Sequence, residues 1–298
     1  MSMLINPSAY DKLEYFYKNK EEFYFVSDFD ATLNTYYNSD WQRTQWVVAL
    51  LHHYGTLSDR YTRLAQAQFD RYEPLEHDTS LEFSDRLQAM VDRWTQNLAY
   101  LAQERLRYDI LKQTVALGKI DMRPWAERLI RTAQDLNIPF VIFSASSIGF
   151  DAIDLTLQSR GIDVHPEYIV ANRMKRDEEW YLVWLDSPLI HSLNKTESAI
   201  LLDPHYATIQ DHLKSRPHAI LIGDQIHDGY MLQDRDDRVL LRVGLHNTVS
   251  KKQEFLDHFD IVIEDDGDFY GLYDLIFGRD ITRSQKYKKH FLRSTIVS

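Results

Sequence analysis

Two aspartates two residues apart, Asp28 and Asp30, close an apolar run that begins at Phe23 and continues into Ala31-Thr32-Leu33. Alternate side chains of an extended chain share a face, so a strand ending here sends both carboxylates to one side. One carboxylate can attack phosphorus while the other moves a proton, and both can hold a divalent cation. Three further stretches offer what such chemistry needs. The apolar run Pro139 to Phe143 ends in Ser144-Ala145-Ser146-Ser147, and the run Ala219 to Ile222 ends in Gly223-Asp224-Gln225-Ile226-His227-Asp228. Between them His191-Ser192-Leu193-Asn194-Lys195 supplies a cation. Each element alone has a plain explanation. An Asp-x-Asp pair makes turns and helix caps, a serine makes a turn, a lysine is solvated, and Asp224 and Asp228 complement a helix dipole. Their order and shared position at strand ends, where doubly wound sheets bind ligands, point to phosphoryl transfer.

The elements that must position these residues follow from the hydrophobic pattern. From about Asn38 to Ile120 the texture is helical, and Leu87, Met90, Val91, Trp94, Leu98 and Leu101 form one face of a long amphipathic helix. Gly55 and Pro74 punctuate this region, and Asp78-Thr79-Ser80 offers an N-cap before Leu81. From Met122 strands and helices alternate. Pro124 opens a helix whose buried face is Trp125, Leu129, Ala133 and Leu136, and another helix spans about Ile148 to Arg160. Trp180 to Trp184 reads as a hairpin strand near the rim of the site. Ala219 to Ile222, Val239 to Val243 and Ile261 to Ile263 read as buried strands. The expected fold is an α/β, doubly wound, mostly parallel core from residues 1–37 and 122–298, interrupted by an α-helical cap at 38–121.

At 298 residues the chain is long enough for both modules, and 44% hydrophobic with 27% charged residues is ordinary for a globular protein. A formal charge of -11 argues against a nucleic-acid binder. The basic run from Arg283 to Arg293 is the one local exception and reads as a solvated tail. There is no cysteine, which excludes thiolate chemistry and disulfides and fits a reducing cytoplasm. The first twenty residues lack a signal-peptide core, and no window approaches the ~18 apolar residues of a membrane span.

The Asp28-x-Asp30-x-Thr32 spacing and the order of acids, hydroxyl, lysine and acids resemble the motif set of the haloacid dehalogenase (HAD) superfamily. Asp28 to Leu33, Ile142 to Ala145, Leu189 to Lys195 and Leu221 to Asp224 resemble the pyrimidine 5'-nucleotidase family of the cytosolic 5'-nucleotidase III type. Tyr72 to Asp78, Met90 to Thr95 and Phe259 to Ile263 extend the similarity, which runs from about Phe23 to Ile276. The resemblance implies a Rossmann-like HAD core and a Mg2+-dependent phosphatase. Asp28 is then the nucleophile and Asp30 the general acid-base, with Ser144, the Ala145 backbone and Lys195 on the phosphoryl oxygens. Asp28 and Asp224, with the Asp30 carbonyl, are then the metal ligands, and Asp228 completes the metal site by holding metal-bound water or orienting Asp224. Four carboxylates facing a phosphate dianion repel, and Mg2+ with Lys195 supplies three compensating charges.

Three departures bear on the substrate. Gln225 and His227 replace a serine and a glycine of the family's last motif, and His227 reads as a rim residue or a substrate contact. Ser146-Ser147 alter a glycine-rich turn. In the cap, Asp85 stands nearest the glutamate that the family uses for base recognition, with Trp94 a stacking candidate. Asp85 reads equally as an exposed acid on a helix and Trp94 as a core residue. Tyr36, Tyr37 and Trp41 add aromatic surface suited to a planar base. The expected substrate is a nucleoside 5'-monophosphate, pyrimidines first, with a sugar phosphate or other small phosphomonoester as the alternative. Phosphoryl transfer to an acceptor alcohol is a possible side activity. A non-catalytic HAD-fold binding protein is the reading from another class, and the filled catalytic positions weigh against it.

Overall fold

The apolar runs become strands. The computed structural model describes residues 3–37, 50–51, 53–118, 120–247 and 252–278. In chain order the strands are β1 (Met3–Ile5), β2 (Phe23–Ser27), β3 (Phe140–Phe143), β4 (Ile169–Val170), β5 (Met174–Arg176), β6 (Leu182–Leu185), β7 (His218–Gly223), β8 (Leu240–His246) and β9 (Ile261–Glu264). The chain divides into two compact units. One comprises Met1–Thr44, Asp121–Ile142 and Ala207–Ser298, the other Gln45–Ile120 and Phe143–Tyr206.

In the first unit the strands run in the order β1-β9-β8-β7-β2-β3. β2 pairs parallel with β3 and β7, β7 with β8, and β8 with β9, while β1 closes the edge antiparallel to β9. Every residue of β2 and β9 is buried, as expected of parallel strands covered on both faces. In register, Ser27 lies opposite Ile142 on one side and Ile222 on the other. The carboxyl ends of β2 and β7 therefore finish level. Helices Ala9–Lys18, Ala126–Asp135, Ala207–Ser215, Lys252–His258 and Tyr270–Phe277 complete the unit.

The helix after Pro124 starts later than its sequence suggests. Trp125 takes a left-handed conformation, φ 72°, outside the helix and half exposed, with its ring against Tyr270 and Tyr273. The buried face is Ala126, Leu129, Ile130 and Ala133, and Leu136 lies exposed beyond the last turn.

The second unit carries helices Asp59–His77, Phe83–Gln103, Tyr108–Gly118 and Gly149–Ser159 and the antiparallel pair β5 and β6. Leu57, Tyr61, Leu98, Leu101, Leu111 and Val115 share one buried cluster with Ile148, Ala152, Leu155, Met174 and Leu182. The stretch Phe143–Tyr206 thus shares a core with the helical stretch before it. Ser144, the first residue past β3, donates from its backbone N to the Val170 carbonyl of β4 at 3.0 Å.

Two boundaries differ from the sequence reading. Pro74 lies inside helix Asp59–His77, and Asp78 is the C-cap of that helix. The Asp78 carboxylate accepts from Ser80 N and Oγ in a tight turn, so the next helix begins only at Phe83. Among the described residues no helix is long and apolar enough to cross a membrane. The basic run from Arg283 to Arg293 and Trp41 lie outside the described residues.

Candidate active site

Parallel pairing of β2 and β7 brings the first unit's acids together. Asp28 N donates to the Ile222 carbonyl at 2.9 Å, which ties the residue just past β2 to the end of β7. Beyond it the chain turns tightly, with the N–H groups of Thr32, Leu33 and Asn34 all directed to the Phe29 carbonyl at 3.2, 2.9 and 3.2 Å. On the β7 side the turn needs a glycine at 223. A Cβ there would stand 2.3 Å from the Asp228 Cβ. Asp228 is buried, and its Oδ2 accepts from Asp224 N at 3.2 Å and Gln225 N at 3.0 Å.

These constraints leave one ligand oxygen each of Asp28, Asp224 and Asp228 within 4.8 Å of one another. Asp28 and Asp228 are buried, and Asp224 is half-buried. Three carboxylates this close repel strongly in a partly desolvated site, and a divalent cation relieves that repulsion. An all-oxygen donor set suits a hard cation such as Mg2+ and disfavours softer metals. Gln225, a departure from the expected motif, has a structural use. Its amide donates to Asp224 Oδ2 at 2.8 Å, and it caps the short helical turn Ile226–Tyr230 together with Asp228. His227 sits half-buried in the same turn.

The second unit holds the hydroxyl, the lysine and the cap residues. Ser144 is buried, and its Oγ accepts from Ser146 N at 3.2 Å. Ser147 Oγ donates to Asn97 Oδ1 at 2.9 Å, so the altered Ser146-Ser147 turn is tied to helix Phe83–Gln103. Lys195 is 6% exposed. It follows a compact turn in which His191 N donates to Asn194 Oδ1 at 2.7 Å and Asn194 Nδ2 donates to the Leu189 carbonyl at 2.8 Å.

Asn172, missed by sequence reasoning, links these two segments. Fully buried, it donates to the carbonyls of Ile190 at 2.8 Å, Ser146 at 3.0 Å and Ala145 at 3.3 Å, and accepts from Ile190 N at 2.9 Å.

The two cap candidates part company. Asp85 is exposed in the first turn of helix Phe83–Gln103. Trp94, half-buried, donates from Nε1 to the Ala145 carbonyl at 2.7 Å, and its ring lies 6.1 Å from that of His191. The Arg93 guanidinium stands 4.8 Å from the Trp94 ring centre and pairs with buried Glu76 at 3.1 Å. Glu76 lies in the segment Tyr72 to Asp78, which carries part of the family resemblance. Burial pushes the His191 imidazole down to about 4, with Glu76 pulling the other way. Tyr36 and Tyr37 belong to the first unit, where their backbone N–H groups bond Asp266 at 2.8 and 3.0 Å.

A further residue without a sequence signal is Arg123. Its side chain is wholly buried and donates to the carbonyls of Ala31, Thr32 and Gly267, each at 2.7 Å, while pairing with Asp266 at 2.9 Å. Burial pulls its pKa below the usual arginine range, and the charges of Asp266 and Asp224 oppose that shift.

A mostly parallel sheet with acids gathered at the carboxyl ends of β2 and β7 is the arrangement of a HAD fold. The fold matches that in the crystal structure of cytosolic 5'-nucleotidase IIIB bound to cytidine, with a TM-score of 0.78 at 21% identity over 96% of this chain and 95% of that one. The chain belongs to the pyrimidine 5'-nucleotidase (UMPH-1) family, whose model matches residues 31–276. It is accordingly a phosphomonoester hydrolase of the 5'-nucleotidase kind. The matched span opens one residue after Asp30, so the family match covers neither Asp28 nor Asp30. The 7-methylguanosine phosphate-specific 5'-nucleotidase of Homo sapiens is 29% identical over 246 residues, 81% of this chain and 79% of that protein. The putative cytosolic 5'-nucleotidase 3 of Caenorhabditis elegans is 27% identical over 248 residues, 80% of this chain and 63% of that protein.

Proposed function

We propose that the chain hydrolyses nucleoside 5'-monophosphates in the cytoplasm, with Asp28 as nucleophile and Mg2+ held by Asp28, Asp224, Asp228 and the Asp30 carbonyl. The observation that carries the reading is the gathering of the three carboxylates within 4.8 Å at the ends of two adjacent parallel strands. An Asp28 oxygen attacks phosphorus and the phosphorus–O5' bond breaks, giving an aspartyl-phosphate and the nucleoside. Asp30 gives its proton to the departing alkoxide. It then takes a proton from the water that attacks the aspartyl-phosphate and releases inorganic phosphate. Ser144, the Ala145 backbone and Lys195 bind phosphoryl oxygens, and Lys195 balances charge on the transferring group. When bound, Mg2+ offsets the charge of the carboxylates and the phosphate.

The helical segment 38–121 acts as a cap that sets specificity, with Trp94 presenting its ring to the base and Asp85 at the margin. Pyrimidine nucleotides lead the substrate order, in keeping with the family and with the cytidine held by the structural neighbour. A 7-methylguanosine nucleotide is the second reading. The human relative carries that substrate in its name, and a methylated, cationic base is attracted to an indole face such as that of Trp94.

The test is phosphate release, with Mg2+ and with EDTA, from CMP, UMP, AMP, GMP, 7-methylguanosine monophosphate, sugar phosphates and an aryl phosphate. Metal-dependent release from CMP, UMP or the methylated nucleotide is expected. Release from sugar phosphates alone would keep the mechanism and discard the substrate. Asp28→Asn should lower kcat by on the order of 10^3-fold or more in a folded protein. A variant as active as the parent would end the nucleophile assignment.

A further inference from the structure

Ala31, directly after Asp30, sits at φ 58°, in the left-handed region where a Cβ crowds the following carbonyl oxygen. Such a conformation persists only when its surroundings over-determine it. Here they do. The Ala31 N–H donates to Asn34 Oδ1. The Ala31 carbonyl accepts from Arg123 Nη2 at 2.7 Å and from Asn247 Nδ2 at 2.9 Å. Arg123 Nε takes the next carbonyl, that of Thr32, at 2.7 Å. Its Nη1 reaches the Gly267 carbonyl at 2.7 Å and Asp266 at 2.9 Å.

A guanidinium with no exposed surface is costly to desolvate, and an apolar residue would fill the same volume at less cost. What an apolar residue cannot do is hold several convergent carbonyls in one plane. A lysine offers a point charge on a flexible stem and cannot reproduce that fork.

We propose that Arg123 is a positioning residue for Asp30, fixing the left-handed turn at Ala31 so that the Asp30 carboxyl faces the leaving oxygen. The proposal rests on the role assigned above to Asp30. When the phosphorus–oxygen bond breaks, a nucleoside leaves as a strongly basic alkoxide and needs the Asp30 proton in the transition state. A 4-nitrophenolate leaves as a stable anion and does not. Loosening the Ala31 turn therefore damages the first reaction and spares the second.

The experiment compares kcat/KM of the full-length protein, with Mg2+, on its best nucleoside 5'-monophosphate and on 4-nitrophenyl phosphate. Arg123→Lys should lose about 100-fold on the nucleotide and less than about 5-fold on the aryl ester. An equal loss on both, as a simple drop in folded protein would give, overturns the proposal. Should Arg123→Lys not fold, Asn247→Ala removes the other donor to the Ala31 carbonyl. It must show the same split at smaller amplitude, and an even loss overturns the proposal there too. A parent protein inert toward both esters would overturn the hydrolase reading itself and this proposal with it. An active parent with an even loss overturns this proposal alone.

Discussion

At the scale of single residues, His191 shows how burial sets a charge state. Its backbone turn gives Nδ1 an N–H from Leu193 at 3.3 Å, so the ring proton resides on Nε2. Nε2 is enclosed, and no group among the described residues bonds it. Desolvation pulls the imidazole from 6.5 to about 4, against the pull of Glu76, so His191 adds no charge at neutral pH. Between about 4 and 6.5 the unfolded chain binds a proton that the folded chain refuses. Stability from this residue is therefore fully present above pH 6.5 and is lost as pH falls toward 4. His191→Asn, which keeps an acceptor for Leu193 N, removes the titration. From pH 7 to 5 the parent should lose about 1–2 kcal/mol more than this variant in urea unfolding. Parallel losses in the two proteins would refute the desolvation account.

At the scale of elements, the stretch Ser144 to Ser147 after β3 and the stretch Leu189 to Lys195 are loops whose backbone groups need partners. Asn172, two residues past β4, satisfies four such groups from both loops and aligns them without itself being a candidate for chemistry. Asn172→Leu keeps the number and branching of the side-chain heavy atoms and strands those groups. It should cost about 3 kcal/mol in denaturant unfolding and lower kcat at temperatures where the protein remains folded. Stability equal to the parent's would show that the network matters little. The same contrast explains what the sequence displayed. β2, β3, β7 and β9 were legible because strands buried on both faces read as unbroken apolar runs, and β8 as one interrupted only by Arg242. The acids were legible because they stand where such runs stop. β1 and β4, of three and two residues, carry too little pattern to register and owe their form to pairing. Asn172 and Arg123 left no trace because their partners are backbone carbonyls remote in sequence, 92 residues away in the case of Arg123 and Ala31. Trp125 and Asp78 misled for a related reason, since each has the composition of a helix end but its backbone leaves the helix there.

At the scale of the whole molecule, the acid cluster joins the chain's first long strand to a strand far toward its carboxyl end, and the family match spans both compact units. Closing that distance on folding forces Asp28, Asp224 and Asp228 together, so the fold without a cation carries their mutual repulsion. A cation that binds the folded chain and not the unfolded one stabilises by about 2.7 kcal/mol at a hundredfold excess over Kd. For a chain of this size that amounts to a rise in Tm on the order of 5 °C. Because the net charge is -11, diffuse counterion effects need separating from site binding. Sodium at matched ionic strength supplies that control and should leave Tm nearly unchanged. Asp224→Asn should then show two opposite effects by differential scanning fluorimetry. Without Mg2+ it melts at or above the parent's temperature, because one repelling charge is gone. With Mg2+ it loses most of the parent's rise, because a ligand is gone. A variant that melts below the parent in EDTA and still responds fully to Mg2+ would place the cation elsewhere and leave these three aspartates with a purely structural role.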